Sequence, residues 1–318
     1  MSSNSLEDWA EQATNRAGID RLPAHLAARY GITVERLTEL DVGNFRVDRS
    51  DGPPWVARVF PSARPLAEVQ GDADILMSLQ RADFPAERCA DPEPVSTLAG
   101  QGLLVTEFVD GVRPDKPGRT FAILGALLGG LHAQIDTLAR PAGGWHQLAL
   151  QGGPQAEIDT AGTVLGLRRA RAGAGQRPDY DRLLDELWAI DDCAGLPETF
   201  VHPDFVPANA IQTPDDRLVV VDWAGAGRGI RLWSLCWLLW SAGTRSLKLV
   251  DVVMYRYRTK VALEPAELDR LADAIYSRVL LMGCWGVGVG RQQPIAVLDR
   301  MSGVREKATA VARRVAQQ

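Results

Sequence analysis

The sequence predicts an α+β chain built in two lobes, and three observations carry that reading. Strand-like runs separated by turn signals fill residues 32–60, and a single long helical pattern over 65–81 stands between them and the next strand. Near Asp110–Pro117 the pattern changes, and apolar residues at helical spacing dominate to the C-terminus. One stretch breaks the helical half: VHPDFVPANAIQTPDDRLVVVDW, residues 201–223, sets a polar loop and a turn between two apolar runs. Strands with one helix first, then helices with an embedded hairpin, divide the 318 residues into lobes at 1–109 and 110–318.

Taken in order, Ser5–Ala17 has Leu6, Trp9, Ala10 and Ala13 on one helical face, with Ser5 as N-cap and Gly18 as terminator. Pro23–Tyr30 reads as a short helix that Gly31 stops. Ile32–Leu40 and Asn44–Asp48 read as strands joined by a tight turn at Asp41-Val42-Gly43-Asn44. The Ser50–Pro54 turn then leads into the strand Trp55–Phe60. A helix is expected over Pro65–Arg81, where Leu66, Val69, Ala73, Leu76 and Leu79 keep helical spacing. Asp83, Pro85 and Pro92 mark loop, and Gly102–Val109 is the next strand. FAILGALLGGLHAQI, from Phe121, begins the helical half. Within that half, Thr199–Val201 and Leu218–Val221 are expected to form a short hairpin, and Arg168–Pro178 a basic surface loop.

Composition narrows the function. A net charge of −5 gives no electrostatic case for nucleic-acid binding. Cys89, Cys193, Cys236 and Cys284 match no zinc spacing and read as free thiols in a reducing cytosol. His132, His146 and His202 lack the close spacing a zinc site needs. The N-terminus has no apolar signal region, and the apolar run Leu232–Gly243 is too short to span a bilayer. A cytoplasmic protein with no membrane partner is the expectation.

Residues 201–223 carry the chemistry. His202, Asp204 and Asn209 fall on the loop, and Asp222 closes the second apolar run. An Asp followed five residues later by Asn, with another Asp beyond the next strand, suits phosphoryl transfer. The first carboxylate takes a hydroxyl proton, and the other two oxygens hold a divalent ion. The bland readings are turn residues for Asp204 and Asn209 and a strand-end cap for Asp222. VHPDFVPAN followed by VVVDW resembles the aminoglycoside phosphotransferase and choline-kinase-like branch of the protein-kinase superfamily. WVARVF resembles that family's phosphate-gripping strand, LLVTEFVDG its hinge and LGGLHAQ the helix after the hinge.

The resemblance implies a two-lobed protein-kinase-like fold, with a small antiparallel sheet and one helix in a nucleotide-binding lobe. The larger helical lobe would be catalytic and substrate-binding. It implies ATP- or GTP-dependent, Mg²⁺-dependent phosphorylation of a hydroxyl on a small molecule, such as an aminoglycoside-like antibiotic, a sugar or an amino alcohol. Asp204 becomes the base, His202 the loop brace, and Asn209 and Asp222 the metal ligands. Arg58 grips phosphate, with Glu68 or Asp72 as its acidic partner, Asp72 fitting the helix pattern better. Glu107 and Val109 offer backbone contacts to the base of the nucleotide. The short Asp41–Asn44 turn stands where the family has a longer glycine-rich one, which favours the rival reading of an inactive kinase-like binding module. Ser234 falls where the family often has a bracing Asp. Trp233, Trp237 and Trp240 form a stripe read as core, and Gly283–Gly290 lacks the context of a dinucleotide motif. Asp179, Asp181, Asp185 and Glu186 are carboxylates of the kind a cationic acceptor needs, and they fit a solvated helix face equally well.

Overall fold

Alternation sets the first sheet. In the computed structural model, which describes residues 17–134, 142 and 153–318, β1 (Val34–Asp41), β2 (Asn44–Arg49), β3 (Trp55–Val59), β4 (Val95–Leu98) and β5 (Gln101–Glu107) form one antiparallel sheet. Its order is β1-β2-β3-β5-β4. Phe45 and Val47 of β2 and Trp55, Ala57 and Val59 of β3 face one core, which Leu22 and Leu26 of α1 (Leu22–Tyr30) complete. Arg58 therefore points to the opposite face. The strand β4 lies in the stretch read as loop, because its four residues are too few for a periodic signal. Helix α2 (Leu66–Arg81) buries Val69, Ala73, Leu76 and Leu79 as the spacing requires and Asp72 among them, while Leu66, expected on the same face, is exposed in the first turn. The helix expected over Ser5–Ala17, apart from Ala17, lies outside the described residues, as do His146 and the end of the segment beginning at Phe121.

The remaining helices are α3 (Pro117–Gln134), α4 (Gly153–Arg171), α5 (Arg177–Trp188), α6 (Arg231–Gly243), α7 (Leu247–Tyr257), α8 (Pro265–Gly288) and α9 (Pro294–Ala316). Of the basic stretch 168–178, residues up to Arg171 are helical and Arg177 opens α5, so the loop is shorter than expected. The glycine-rich stretch after Gly283 is mostly the end of α8. A Cβ on Gly283 would stand 2.6 Å from Val297 Cγ1, so this glycine lets α8 and α9 pack closely and marks no nucleotide site. Among the described residues no helix is long and apolar enough to cross a membrane. All four cysteines are free, and three are buried.

Two compact units result. One holds the described residues up to Arg113 together with Ala210–Gly225; the other holds Pro114–Asn209 and Ala226–Gln318. The expected hairpin is redistributed. β6 (Glu198–Val201) pairs with β9 (Gly227–Ile230), whereas β7 (Ala210–Gln212) pairs with β8 (Leu218–Val220). The turn at 213–217 closes β7 onto β8 at a lower entropic cost than the longer loop from Val201. The β7–β8 hairpin belongs to the first unit, where Val112 exchanges two backbone hydrogen bonds with Gln212 and Glu87 N–H donates to Val220.

One buried group gives the second unit a pH signature. His132 meets the Tyr257 hydroxyl at 2.9 Å, and burial, with a smaller contribution from Arg231, pulls its pKa down to about 3. The ring is neutral in the fold, while the unfolded chain takes up a proton near pH 6.5. Its stabilising contribution is therefore complete above that pH and declines as pH falls toward 3. Urea unfolding is expected to show wild type losing about 1.4 kcal/mol per pH unit below that point relative to His132→Gln. Equal losses in both proteins between pH 6.5 and 5 would refute the assignment.

Candidate active site

In the first unit, the sheet face opposite the core lines a cavity of about 170 Å³. Val56 and Arg58 of β3 and Leu104 and Thr106 of β5 form one side, Ile211 and Val221 another, and Asp222, Glu107 and Val109 also line it. Four residues expected at a nucleotide site thus converge there. The Glu107 amide donates to Arg88 O at 2.8 Å and the Phe108 amide to Pro54 O at 3.0 Å. The Val109 N–H makes no hydrogen bond among the described residues, so it remains a donor for a ligand.

Arg58 Nη1 lies 2.7 Å from Asp222 Oδ1, and its Nε donates to Asn44 Oδ1 at 2.8 Å. Burial alone pulls the Arg58 pKa down, but the carboxylates of Asp222 and Glu87 more than reverse this and raise it. The guanidinium is thus firmly charged. Glu87 escaped the sequence reading because one acid in a Pro-rich loop has no periodic signal. Its Oε1 accepts the Asp222 N–H at 2.8 Å and its Oε2 the Thr106 hydroxyl at 3.3 Å. Burial raises the Glu87 pKa, Arg58 opposes that rise and Asp222 adds to it.

Asp222 itself has φ 66°, the left-handed region that Asp tolerates better than most residues. Trp223 anchors the position: it is buried, donates Nε1–H to Val220 O at 2.8 Å and meets Phe84 edge-on at 5.5 Å. The carboxylate in contact with Arg58 is Asp222 rather than Asp72, whose charge adds a smaller contribution to holding the guanidinium charged. Asp72 lies on the inward face of α2, pairs with buried Arg64 at 2.6 Å, and accepts the Gly225 amide at 3.1 Å. Its short side chain is spent on the loop that carries Asp222, and Asp222 takes Arg58. The β1–β2 turn is a two-residue hairpin at Val42-Gly43. Gly43 has φ 75° and its carbonyl accepts the Val59 amide at 2.8 Å, which folds the tip onto β3.

In the second unit, the loop after β6 holds the acid and amide. Asn209 Nδ2 donates to Asp204 Oδ2 at 2.7 Å and to Asp204 O at 2.9 Å. That geometry turns Asn209 Oδ1 away from Asp204, and it has no hydrogen-bond partner among the described residues. His202 is fully buried, accepts the Asp204 amide on Nδ1 at 3.0 Å and stands edge-on to Phe205. It braces the loop and is closed to substrate. Ser234 Oγ donates to His202 O at 2.7 Å, holding the loop with a neutral hydroxyl. The tryptophan stripe is more than core: Trp237 Nε1 donates to Asp204 Oδ1 at 2.6 Å and Trp233 Nε1 to Glu157 Oε1 at 3.2 Å. Of the carboxylates considered for a cationic acceptor, Asp181 pairs with Arg169, Asp179 with Arg182, and Glu186 with Arg305 and the Tyr276 hydroxyl.

Each unit holds one hard oxygen of the kind that a nucleotide-borne divalent ion takes. Asn209 Oδ1 and the half-exposed Asp222 carboxylate are hard oxygens. Among the described residues no group of three or more His, Cys, Asp or Glu could hold an ion by protein ligands alone. Mg²⁺ bound through one or two side chains, phosphate and water has this character.

An antiparallel sheet unit with a ring-sized cavity, followed by a helical unit with a braced Asp–Asn loop, defines a kinase-like phosphotransferase. The chain belongs to the phosphotransferase enzyme family (APH), whose family model matches residues 34–271. The sequence matches none of the curated proteins. Among solved structures, amicoumacin kinase hAmiN in complex with AMP-PNP, Ca²⁺ and Ami matches with TM-score 0.61 and 16% identity, over 94% of this chain and 95% of that one. Choline kinase LicA from Streptococcus pneumoniae matches with TM-score 0.61 and 14% identity, over 92% and 98%. An aminoglycoside-3'-phosphotransferase of type VIII matches with TM-score 0.57 and 18% identity, over 85% and 100%. At these identities the likeness is one of fold.

Proposed function

We propose that this protein is an ATP- or GTP-dependent kinase that phosphorylates a hydroxyl of a small molecule. The observation that carries the reading is the Asp204–Asn209 pair on its His202-braced loop, in a chain of the phosphotransferase family. Asp204 orients the acceptor hydroxyl and takes its proton. The cavity beside Val109 takes the nucleotide base, and Arg58 steadies the phosphates in a forked contact. Asp222 supplies an anionic oxygen and Asn209 a neutral one to Mg²⁺. The ion, when bound, neutralises charge on the phosphates. The acceptor lies among antibiotics, sugars and amino alcohols, and the arginine pairing of Asp179, Asp181 and Glu186 counts against a polycation.

The test is ADP release from Mg·ATP across a panel of hydroxylated metabolites and antibiotics. Replacing Asp222 with Ala should cut turnover at least ~10³-fold, while the fold survives because Glu87 remains to face Arg58. Turnover equal to wild type would remove the metal-ligand role. A second reading, a binding module without turnover, is favoured by the two-residue β1–β2 turn in place of a glycine-rich cover. A nucleotide-induced rise in melting temperature, with no hydrolysis or transfer to any acceptor, would select it.

A further inference from the structure

We infer that Trp237 is a positioning residue that fixes the rotation of the Asp204 carboxylate. This rests on the proposed role of Asp204 and adds a residue that the motif does not contain. Asp204 has two fixed donors, one on each oxygen. Asn209 Nδ2 holds Oδ2 at 2.7 Å, and Trp237 Nε1 holds Oδ1 at 2.6 Å. A carboxylate held on one oxygen still turns about its Cβ–Cγ bond, and one held on both does not. Each oxygen keeps a further lone pair for an incoming hydroxyl.

The indole is itself held from behind. Arg278 lies 5.3 Å from the Trp233 ring centroid and 5.7 Å from that of Trp237. The guanidinium also donates to Pro203 O, one residue before the acid, and pairs with Glu157 at 3.0 Å. Glu157 in turn accepts from Trp233. One connected set from α4, α6 and α8 thus fixes both the loop backbone and the orientation of its acid. Such support costs conformational freedom, and preorganised alignment of the base is a return that packing alone does not supply. A merely structural Trp would need no donor aimed at the acid.

The test uses the full chain without ligand and then with Mg·ATP. Nine tryptophans give nine indole N–H signals in a ¹H–¹⁵N spectrum, and Trp237→Phe identifies the one in question. That signal should be shifted downfield and slow to exchange, and Asp204→Asn should move it back. A signal indifferent to Asp204→Asn overturns the inference. In ADP release from Mg·ATP, Trp237→Phe should lower kcat about 10²-fold with KM for ATP unchanged. The same change made in the Asp204→Asn background should add nothing, because the effect travels through that carboxylate. Trp237→His, which keeps a ring donor, should recover part of the loss. Additive losses in the double variant would assign Trp237 to packing and sink the proposal. If Asp204→Asn leaves ADP release intact, the base assignment fails instead, and the indole signal still decides the clamp.

Discussion

Asp204→Asn is expected to lower phosphoryl transfer by about 10²–10⁴-fold and to leave nucleotide binding intact. The reason is double. An amide cannot take the acceptor's proton at neutral pH, and it has a single acceptor oxygen where the site presents two donors, Trp237 Nε1 and Asn209 Nδ2. Whichever donor meets the new NH₂ loses its partner, at a cost of about 1–3 kcal/mol if it stays buried. Arg58, Val109 and Asp222 line a cavity in the other unit, and Asp204 is not among its lining residues, so binding of ATP should persist. Stopped-time assays of ADP release, paired with a thermal shift under Mg·ATP, separate the two effects. Unchanged transfer would refute the role of Asp204; lost nucleotide binding would point to a damaged fold.

The largest stability effect is expected at Glu157. Its carboxylate and the Arg278 guanidinium form an ion pair at 3.0 Å with side-chain exposures of only 4% and 7%. Burial raises the Glu157 pKa, and Arg278, then Trp233, oppose that rise. Glu157→Ala strands the arginine away from water and should destabilise the protein by about 3–5 kcal/mol. Because Arg278 also donates to Pro203 O, turnover should fall with stability. Joining Glu157→Leu to Arg278→Met removes both charges and should restore most of the stability, but not the turnover. Urea unfolding of the three proteins checks this. A single-variant loss below about 1 kcal/mol would place the pair in effective contact with solvent.

Several elements were legible from local pattern alone. The alternation in β2 and β3 names the core residues and sends Arg58 to the opposite face, because side chains on a strand have period two. Helix α2 obeys its apolar spacing, and the Asp–Asn pair is close enough in sequence for its contact to follow from one loop. The strand β4 was not legible, since four residues between turns, of which only Leu98 is buried, carry too little pattern. Nor was the burial of Glu157, an acid 3% exposed beside the apolar face that Ile158, Ala161 and Leu165 give its helix. The stripe of Trp233 and Trp237 was visible as apolar surface, while the direction of its indole N–H groups was not.

The division follows from the range of the interactions. By itself the sequence determined that strands come before helices, that His202, Asp204 and Asn209 share one polar loop, and that Asp222 follows an apolar strand. These depend on backbone periodicity and on neighbours a few residues apart. Tertiary structure alone decided which acid meets which arginine: Arg58 with Asp222, Arg64 with Asp72, and Arg278 with Glu157. It also decided that β8 pairs with β7 and β9 with β6. Charged side chains can be satisfied by any opposite charge within reach. The choice among partners is therefore made by the packing that brings distant segments together, and the linear pattern carries no record of it.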